Sequence, residues 1–188
     1  LQVDLNQQYS YDIAKYAGAR ALHVQSIFEE LPVQLEEERA KFVVTSLGET
    51  ARYDNYEQDF LWLVRAGVGL KVNKVTEPKP PLRRTQRAAS FKLYQSDTGM
   101  LVARFPQSLA RAVYTDDRSV NMGGVFENAV AQELVAAQFT PYYYLTKKVG
   151  EVDFLIESDE GVVAIEVKSG NDYLTHASLS KVLSLIHI

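Results

Sequence analysis

The sequence contains no cysteine and only three histidines, which stand far apart at His23, His176 and His187. The absence of cysteine excludes disulfide-stapled scaffolds and thiolate zinc sites, and the histidine spacing offers no pair of imidazole ligands. A metal ion bound to this protein would therefore have to be held by oxygen ligands.

Long apolar runs and targeting signals are also missing. No stretch of about 18 uncharged apolar residues is present, and the first residues, LQVDLNQQYS, lack the basic-then-apolar order of a secretory signal. Apolar residues still make up 46% of the 188 residues, enough for the core of one or two domains. We therefore expect a soluble, cytoplasmic protein.

A nucleotide-binding motif is missing as well. Nothing in the sequence matches the P-loop pattern G-x-x-x-x-G-K-[ST], so this chain is not expected to bind a nucleoside triphosphate in that way. The chain also begins with leucine and not with an initiator methionine. Both observations predict that it is part of a longer protein.

Positive charge is concentrated in one short segment. Residues 1–70 contain 6 basic and 11 acidic side chains, residues 71–92 contain 7 and 1, and residues 93–188 contain 7 and 12. Prolines in the middle segment break helices and strand pairing, which predicts an extended linker over 77–90 and a domain boundary there. The segment fits two roles, a solubilising linker or a strip that contacts nucleic-acid phosphates through Lys79, Arg83, Arg84 and Arg87.

The first half has the hydrophobic spacing of helices followed by a strand. Residues 19–31 place apolar side chains three and four positions apart, and Pro32 predicts the end of that helix. A later helix is predicted to follow Asp54 as its N-cap, with Glu57 as the capping-box partner. Alternating apolar and polar residues over 68–75 then predict a half-exposed strand.

Helices followed by a strand pair are typical of a winged helix-turn-helix domain, in which the last helix enters the major groove of DNA. The predicted last helix offers Arg52 and Asn55 near its start, but its acids Asp54, Glu57 and Asp59 would repel phosphates. Two interpretations stay open at this point, a DNA-reading domain and an interaction or scaffolding module.

In the second half, a glutamate falls within an apolar helix face. Residues 124–137 are predicted to be helical, and steps of about 100° per residue place Glu127 among apolar side chains such as Phe126 and Val130. Glu133 lies at the edge of that face and can reach water. A carboxylate amid apolar groups costs several kcal/mol unless it is paired, hydrogen-bonded or bound to a metal. Glu127 is therefore a candidate functional residue.

Three strand-like runs follow this helix, and their short connections predict an antiparallel meander. Period-two alternation places Val152 and Phe154 on one face of the middle strand and Asp153 on the other. In the last strand, Glu166 and Lys168 share a face because they lie two residues apart.

If Asp153 faces the same side and Glu127 descends from the helix, three carboxylates and the Lys168 ammonium converge. Such carboxylates can hold Mg²⁺ or Mn²⁺, which polarises a phosphodiester, while the lysine stabilises the attacking hydroxide or the developing negative charge. The same groups can instead form a buried salt-bridge cluster that fixes the packing. The residues alone leave both interpretations open.

Four further segments carry a family resemblance: KLYQSDTGM (92–100), GGVFENAVAQEL (123–134), YYYLTKKVGEVDFLI (142–156) and IEVKSG (165–170). They resemble the C-terminal domain of unknown function of many predicted bacterial and archaeal AAA-type ATPases. The stretch 51–82 looks like the segment that precedes this domain in the same proteins.

The resemblance implies an α+β fold. A helical, winged-helix-like N-terminal part would be followed by a restriction-endonuclease-like α-β-β-β-α core of the PD-(D/E)xK type, which lacks its last strand here. Carried over by position, Glu127 matches the helix acid, Asp153 the second-motif aspartate, and Glu166 with Lys168 the third motif.

The resemblance also implies a domain order: a remnant of the ATPase or lid region (1–20), a winged-helix-like domain (21–76), the basic linker (77–90) and the nuclease-like domain (91–188). The implied activity is metal-dependent phosphodiester hydrolysis on DNA, with Mg²⁺ or Mn²⁺ held by Glu127, Asp153 and Glu166, and with ATP bound only by a domain upstream of this chain. The alternative is a catalytically inactive module that binds nucleic acid or protein and targets the ATPase.

Overall fold

Helices and one mixed sheet make up the described part of the chain. The structure is a computed structural model that describes residues 1–37, 41–115, 117, 122–168 and 177–186. Within these residues the α-helices are α1 (Gln2–Tyr16), α2 (Ala21–Glu36), α3 (Tyr53–Arg65), α4 (Thr98–Val102), α5 (Gln107–Tyr114), α6 (Gly123–Ala136) and α7 (Ala177–Ile186). The predicted α+β class is confirmed.

The sheet contains five strands among the described residues: β1 (Gly69–Val75), β2 (Gln86–Gln95), β3 (Tyr142–Thr146), β4 (Gly150–Ser158) and β5 (Gly161–Ile165). Their order in space is β2-β1-β3-β4-β5, and every neighbouring pair is antiparallel except β1 and β3, which are parallel. The meander predicted from short connections is β3-β4-β5. A winged-helix domain and an endonuclease-like core stay predictions.

Two hydrophobic clusters join the helices to the sheet. The larger one contains buried residues of α1, α2, α3 and α6 together with Phe91 and Phe154 of the sheet. The smaller one contains Val152 and Leu155 of β4 and is covered by Val182 of α7. None of the helices in the described ranges combines the length and apolar character needed to cross a bilayer.

Helix α2 continues past the point where a proline was predicted to end it. Pro32 lies inside α2 and has no N–H to donate to the carbonyl of Phe28 one turn earlier. The guanidinium of Arg104 donates to that carbonyl instead and lies over the Phe28 ring. A distant side chain therefore satisfies the backbone group that the proline leaves free, and the prediction of a helix end was wrong.

Helix α3 begins two residues earlier than its sequence indicated. Arg52 is the N-cap residue, without a side-chain cap, and Asp54 lies in the first turn. Glu57 accepts a hydrogen bond from the Tyr53 hydroxyl at 3.3 Å. Asp59 is only 1% exposed and pairs with Arg20, so this acid does not face a groove-binding surface.

The basic segment 77–90 enters regular structure at Leu82, although its prolines predicted an extended linker throughout. A 3-10 turn spans Leu82–Thr85 and β2 starts at Gln86. Leu82 is fully buried, and its backbone N–H donates to Glu157 Oε1 at 2.9 Å. Strand β1 before the segment and strand β2, which begins within it, belong to one sheet. The division into a remnant region, two domains and a linker stays a prediction.

Helix α6 buries a different face from the one that hydropathy indicated. Gly124, Asn128 and Ala131 are its buried residues, whereas Phe126 is 39% exposed. The small residues Gly124 and Ala131 let α6 approach its neighbours closely. The face that carries them is therefore buried, although the larger apolar side chains lie elsewhere on the helix. Glu133 is exposed, as predicted.

A bulge in β4 changes the faces of its side chains. Opposite Tyr143 of β3, strand β4 has two residues, Asp153 and Phe154. Val152 consequently joins the smaller hydrophobic cluster and Phe154 the larger. The prediction that these two residues share a face was wrong, because the extra residue interrupts period-two alternation.

Candidate functional site

Three carboxylates surround the ammonium group of Lys92, a residue of β2. Lys92 Nζ lies 2.9 Å from Glu127 Oε2, 2.6 Å from Glu151 Oε1 and 3.8 Å from Asp153 Oδ1. Helix α6 supplies Glu127, and β4 supplies the other two acids. Because the Lys92 side chain is only 6% exposed, water screens these charges weakly.

The protonation state of Lys92 follows from its neighbours. Burial lowers the pKa of Lys92, but the negative charges of Glu127 and Glu151 and their hydrogen bonds outweigh this, so the pKa lies above its ordinary value. The side chain is therefore a fixed positive charge at neutral pH.

Two tyrosine side chains also lie close to Lys92. The hydroxyl of Tyr94 donates to Glu127 Oε2 at 2.7 Å, and burial together with the Glu127 charge raises its pKa well above the ordinary value. Tyr143 is fully buried, and its ring lies 5.8 Å from Lys92 Nζ. Burial and the charge of Glu151 raise the pKa of Tyr143 to about 12. Both hydroxyls therefore keep their proton at neutral pH, and that of Tyr94 is used in the bond to Glu127.

Asp153 lies in the β4 bulge and is destabilised as an anion. Burial, and after it the charge of Glu127, raises the pKa of Asp153 to about 6, against the opposing effects of Lys92 and a backbone hydrogen bond. That bond comes from the Val167 N–H, which donates to Asp153 Oδ2 at 2.7 Å. A group held in an unfavourable charge state at neutral pH is typical of functional sites.

A second ion pair follows the end of β5. Lys168 Nζ lies 2.7 Å from Glu166 Oε1, with the Glu166 side chain 12% exposed and that of Lys168 37% exposed. The other carboxylate oxygen of Glu166, Oε2, is buried and has no hydrogen-bond partner within the described residues. A buried carboxylate oxygen without a hydrogen bond is costly, and such an exception in a folded protein calls for an explanation.

The four residues predicted from the sequence thus form two linked pairs. Glu127 and Asp153 both contact Lys92, and Asp153 also binds the backbone between Glu166 and Lys168. In the described ranges no three acidic or histidine side chains form a ready set of metal ligands. The catalytic and metal-binding roles of the four residues stay predictions.

Sequence reasoning missed Lys92, Tyr94 and Glu151 as members of this cluster. Alternation only places Lys92 on the opposite face of the strand from the apolar Phe91 and Leu93, which does not indicate that the lysine is buried. Its partners could not be inferred because Glu127 is 35 residues away along the chain.

The predicted nucleic-acid strip lies around the 3-10 turn before β2. Its four basic residues, Lys79, Arg83, Arg84 and Arg87, are all exposed. Arg84 pairs with Glu77 at 3.3 Å, and Arg87 stands opposite Lys74 across the β1-β2 ladder. The side chains can reach a polyanion, and nucleic-acid binding stays a prediction.

We expect Asp153→Asn to stabilise the protein at pH 7.5 and to leave its stability unchanged near pH 4. Folding raises the pKa of Asp153 from 3.8 to about 6, so the folded state binds this proton more tightly than the unfolded state does. The stability that this proton contributes is lost as the pH rises through that range. At a pH above this range, ionisation of Asp153 lowers the free energy of unfolding by about 1–3 kcal/mol, and the neutral amide of asparagine avoids this loss.

Urea denaturation at both pH values, in the presence of EDTA, measures this difference. Asp159→Asn, on an exposed aspartate of the β4-β5 turn, is the matched control and should show no such pH dependence. If Asp153→Asn is less stable than wild type at pH 7.5, Asp153 is a structural partner of Lys92.

Two family models match the chain and together cover most of it. Residues 1–110 match one described as "Domain of unknown function (DUF8612)", and residues 122–187 match one described as "Domain of unknown function (DUF4143)". The second is a domain known to accompany AAA ATPases. No curated protein and no solved structure matches the sequence.

Proposed function

The chain belongs to the family described as domain of unknown function DUF8612, and we propose that it is a nuclease-like module of an AAA-type ATPase. In this proposal it cleaves phosphodiester bonds of DNA with the help of Mg²⁺ or Mn²⁺. Support for the ATPase partner comes from the DUF4143 match over residues 122–187.

The observation that carries the proposal is an excess of negative charge in a partly buried cluster. The cluster contains four carboxylates and two ammonium groups: Glu127, Glu151, Asp153, Glu166, Lys92 and Lys168. Within this set of six described residues, the negative charges exceed the positive charges by two when all are ionised. A divalent cation would neutralise this excess, and oxygen donors are the ligands that Mg²⁺ and Mn²⁺ prefer.

The chemistry of the donor groups suits such a cation, although their present positions do not form a ready set of ligands. Glu166 Oε2 has no hydrogen-bond partner among the described residues and is a candidate ligand atom. The raised pKa of Asp153 is the response expected of a carboxylate that lacks a sufficient counter-charge. Glu127, Asp153 and Glu166 would hold the ion. A bound cation would supply Lewis-acid polarisation of the phosphodiester.

The protein's own side chains would perform the remaining tasks. Lys168 is the more exposed of the two lysines, so its ammonium can approach a substrate phosphate and stabilise the charge that develops there. Glu166 orients Lys168 through their ion pair. The exposed basic strip, with Arg83, Arg84 and Arg87, would attract the DNA backbone.

Nicking of supercoiled plasmid in the presence of Mn²⁺ tests the proposal. We expect Lys168→Met and Asp153→Asn to lower the rate by about 100-fold or more, because each removes a charge that acts on the reacting phosphate or its cation. Lys181→Met, on an exposed lysine of α7, is the matched control and should retain the wild-type rate.

Further arms of this experiment separate binding from chemistry. Replacing Arg83, Arg84 and Arg87 by alanine should weaken plasmid binding in a gel-shift assay and make it less sensitive to salt. Nicking that is equal in wild type and in Lys168→Met would contradict the catalytic proposal, because such activity would not come from this site.

One observation favours a second function. The contacts of Lys92 with Glu127 and Glu151 already neutralise part of the cluster, as in a buried ion pair that fixes packing. In that case the module would bind nucleic acid or protein without cleaving it and would target the ATPase. Plasmid binding that depends on the basic strip, without Mn²⁺ binding or nicking, is the result expected of this alternative.

A further inference from the structure

Lys92 occupies the space between the carboxylates that a cation would need. Its ammonium contacts Glu127 Oε2 and Glu151 Oε1 at 2.9 and 2.6 Å, and Asp153 Oδ1 lies 3.8 Å away. No other described basic side chain is paired with Glu127 or Glu151 within 4 Å.

We infer that Lys92 is a built-in competitor of the divalent cation and sets the affinity of the site for it. This inference rests on the proposed function, because it presupposes that Glu127 and Asp153 hold a cation. An ion that binds these two acids has to displace the Lys92 ammonium from Glu127 Oε2 and to overcome its repulsion.

Glu151 has a distinct part in this arrangement. It makes the shortest of the three contacts with Lys92, and it is not among the three acids assigned to the cation. Glu151 can therefore hold the ammonium while Glu127 and Asp153 take the cation. Lys92 and Glu151 act together as a positioning pair and do not touch the substrate.

Substitutions that remove the charges of both Lys92 and Glu151 should make cation binding tighter. In Lys92→Met/Glu151→Gln one positive and one negative charge disappear together, so the net charge of the cluster equals that of wild type while the competing ammonium is gone. Because one charged hydrogen bond to Glu127 no longer has to be broken, we expect the dissociation constant for Mn²⁺ to fall about tenfold or more.

Isothermal titration of MnCl₂ into the full chain measures this change in wild type, in the double variant and in the control Lys181→Met. Tighter binding by the double variant alone supports the inference. Equal or weaker binding by the double variant overturns it, while the proposed function stands if wild type binds Mn²⁺. If none of the proteins binds Mn²⁺, the proposed function fails and the inference fails with it.

A measurement on wild type covers the case in which the double variant does not fold. In protein labelled with ¹⁵N-lysine, the Lys92 ammonium is shielded from solvent, which favours its detection by NMR. Titration with Mg²⁺ should shift the Lys92 signal strongly and leave that of Lys181 in place. A Lys92 signal that does not move while Mg²⁺ binds would overturn the inference.

Discussion

Gly124→Ala is expected to destabilise the protein by about 3 kcal/mol or more, enough to prevent folding of a marginally stable chain. A Cβ atom at this position would lie 2.0 Å from the backbone oxygen of Leu35 and 2.8 Å from its carbonyl carbon. Leu35 lies in the last turn of α2, so the clash involves a helix backbone and not a side chain that can rotate.

The direction of this effect is the reverse of what helix propensity predicts. In an exposed helix, alanine is more favourable than glycine by about 1 kcal/mol. Here the added methyl group has to push α6 away from α2, and the Lys92-Glu127 pair depends on the position of α6.

Thermal or urea denaturation followed by circular dichroism measures the change. Gly69→Ala in β1 is a suitable control, because its Cβ would meet a terminal methyl group of Leu93 at 3.2 Å, the end of a side chain that can shift. This control should change the unfolding free energy by less than about 1 kcal/mol. A Gly124→Ala protein as stable as wild type would contradict the close approach of α6 and α2.

Asn128→Asp should have the second largest effect, a loss of about 3 kcal/mol or more at pH 7. Asn128 is fully buried in α6 and uses its whole amide. Its oxygen accepts from the Gln95 N–H at 2.7 Å, and its nitrogen donates to the Gln95 carbonyl at 3.0 Å and to Thr98 Oγ1 at 2.9 Å. Aspartate has the same shape, but it loses the donors and sets a buried negative charge against a carbonyl oxygen.

The loss should shrink as the pH falls, because the introduced carboxyl group becomes neutral when it is protonated and regains one donor. Gln132→Glu is the matched control in the same helix. Gln132 only accepts through its side-chain oxygen, from the backbone N–H and the hydroxyl of Thr98, at 2.8 and 2.9 Å. A carboxylate can accept both bonds, so this variant should stay within about 1 kcal/mol of wild type. Equal losses in the two variants would show that the donors of Asn128 are unimportant.

Some regular elements of the second half could be predicted because their signals are local, whereas α4 and α5 were not predicted. Helix α6 and the β3-β4-β5 meander follow from hydrophobic periodicity and short connections, which depend only on neighbouring residues. The same holds for β1, where apolar and polar residues alternate.

Features that depend on distant partners could not be predicted in this way. Whether the helix continues past Pro32 depends on a donor for the freed carbonyl of Phe28, and that donor, Arg104, lies 76 residues further along the chain. The β4 bulge depends on the register with β3, and the buried face of α6 depends on how closely Gly124 meets α2.

The residues of the candidate site also differ in whether their own sequence segment reveals them. Glu127 and Asp153 could be selected because a carboxylate among apolar residues is anomalous within its own segment. Lys92 was counted among the basic residues of the segment 71–92, since nothing near it in sequence shows that its charge is directed inward.

The position of Lys92 on β2 limits how segments of this protein can be separated or exchanged. The ammonium comes from the part of the chain before α5, whereas Glu127, Glu151 and Asp153 all come from the part after it. A chain divided between α5 and α6 would leave one piece with an inward-facing cation and the other with uncompensated acids. The two segments are therefore halves of one electrostatic unit, and exchanging either of them for a counterpart would require the other to carry the complementary charge.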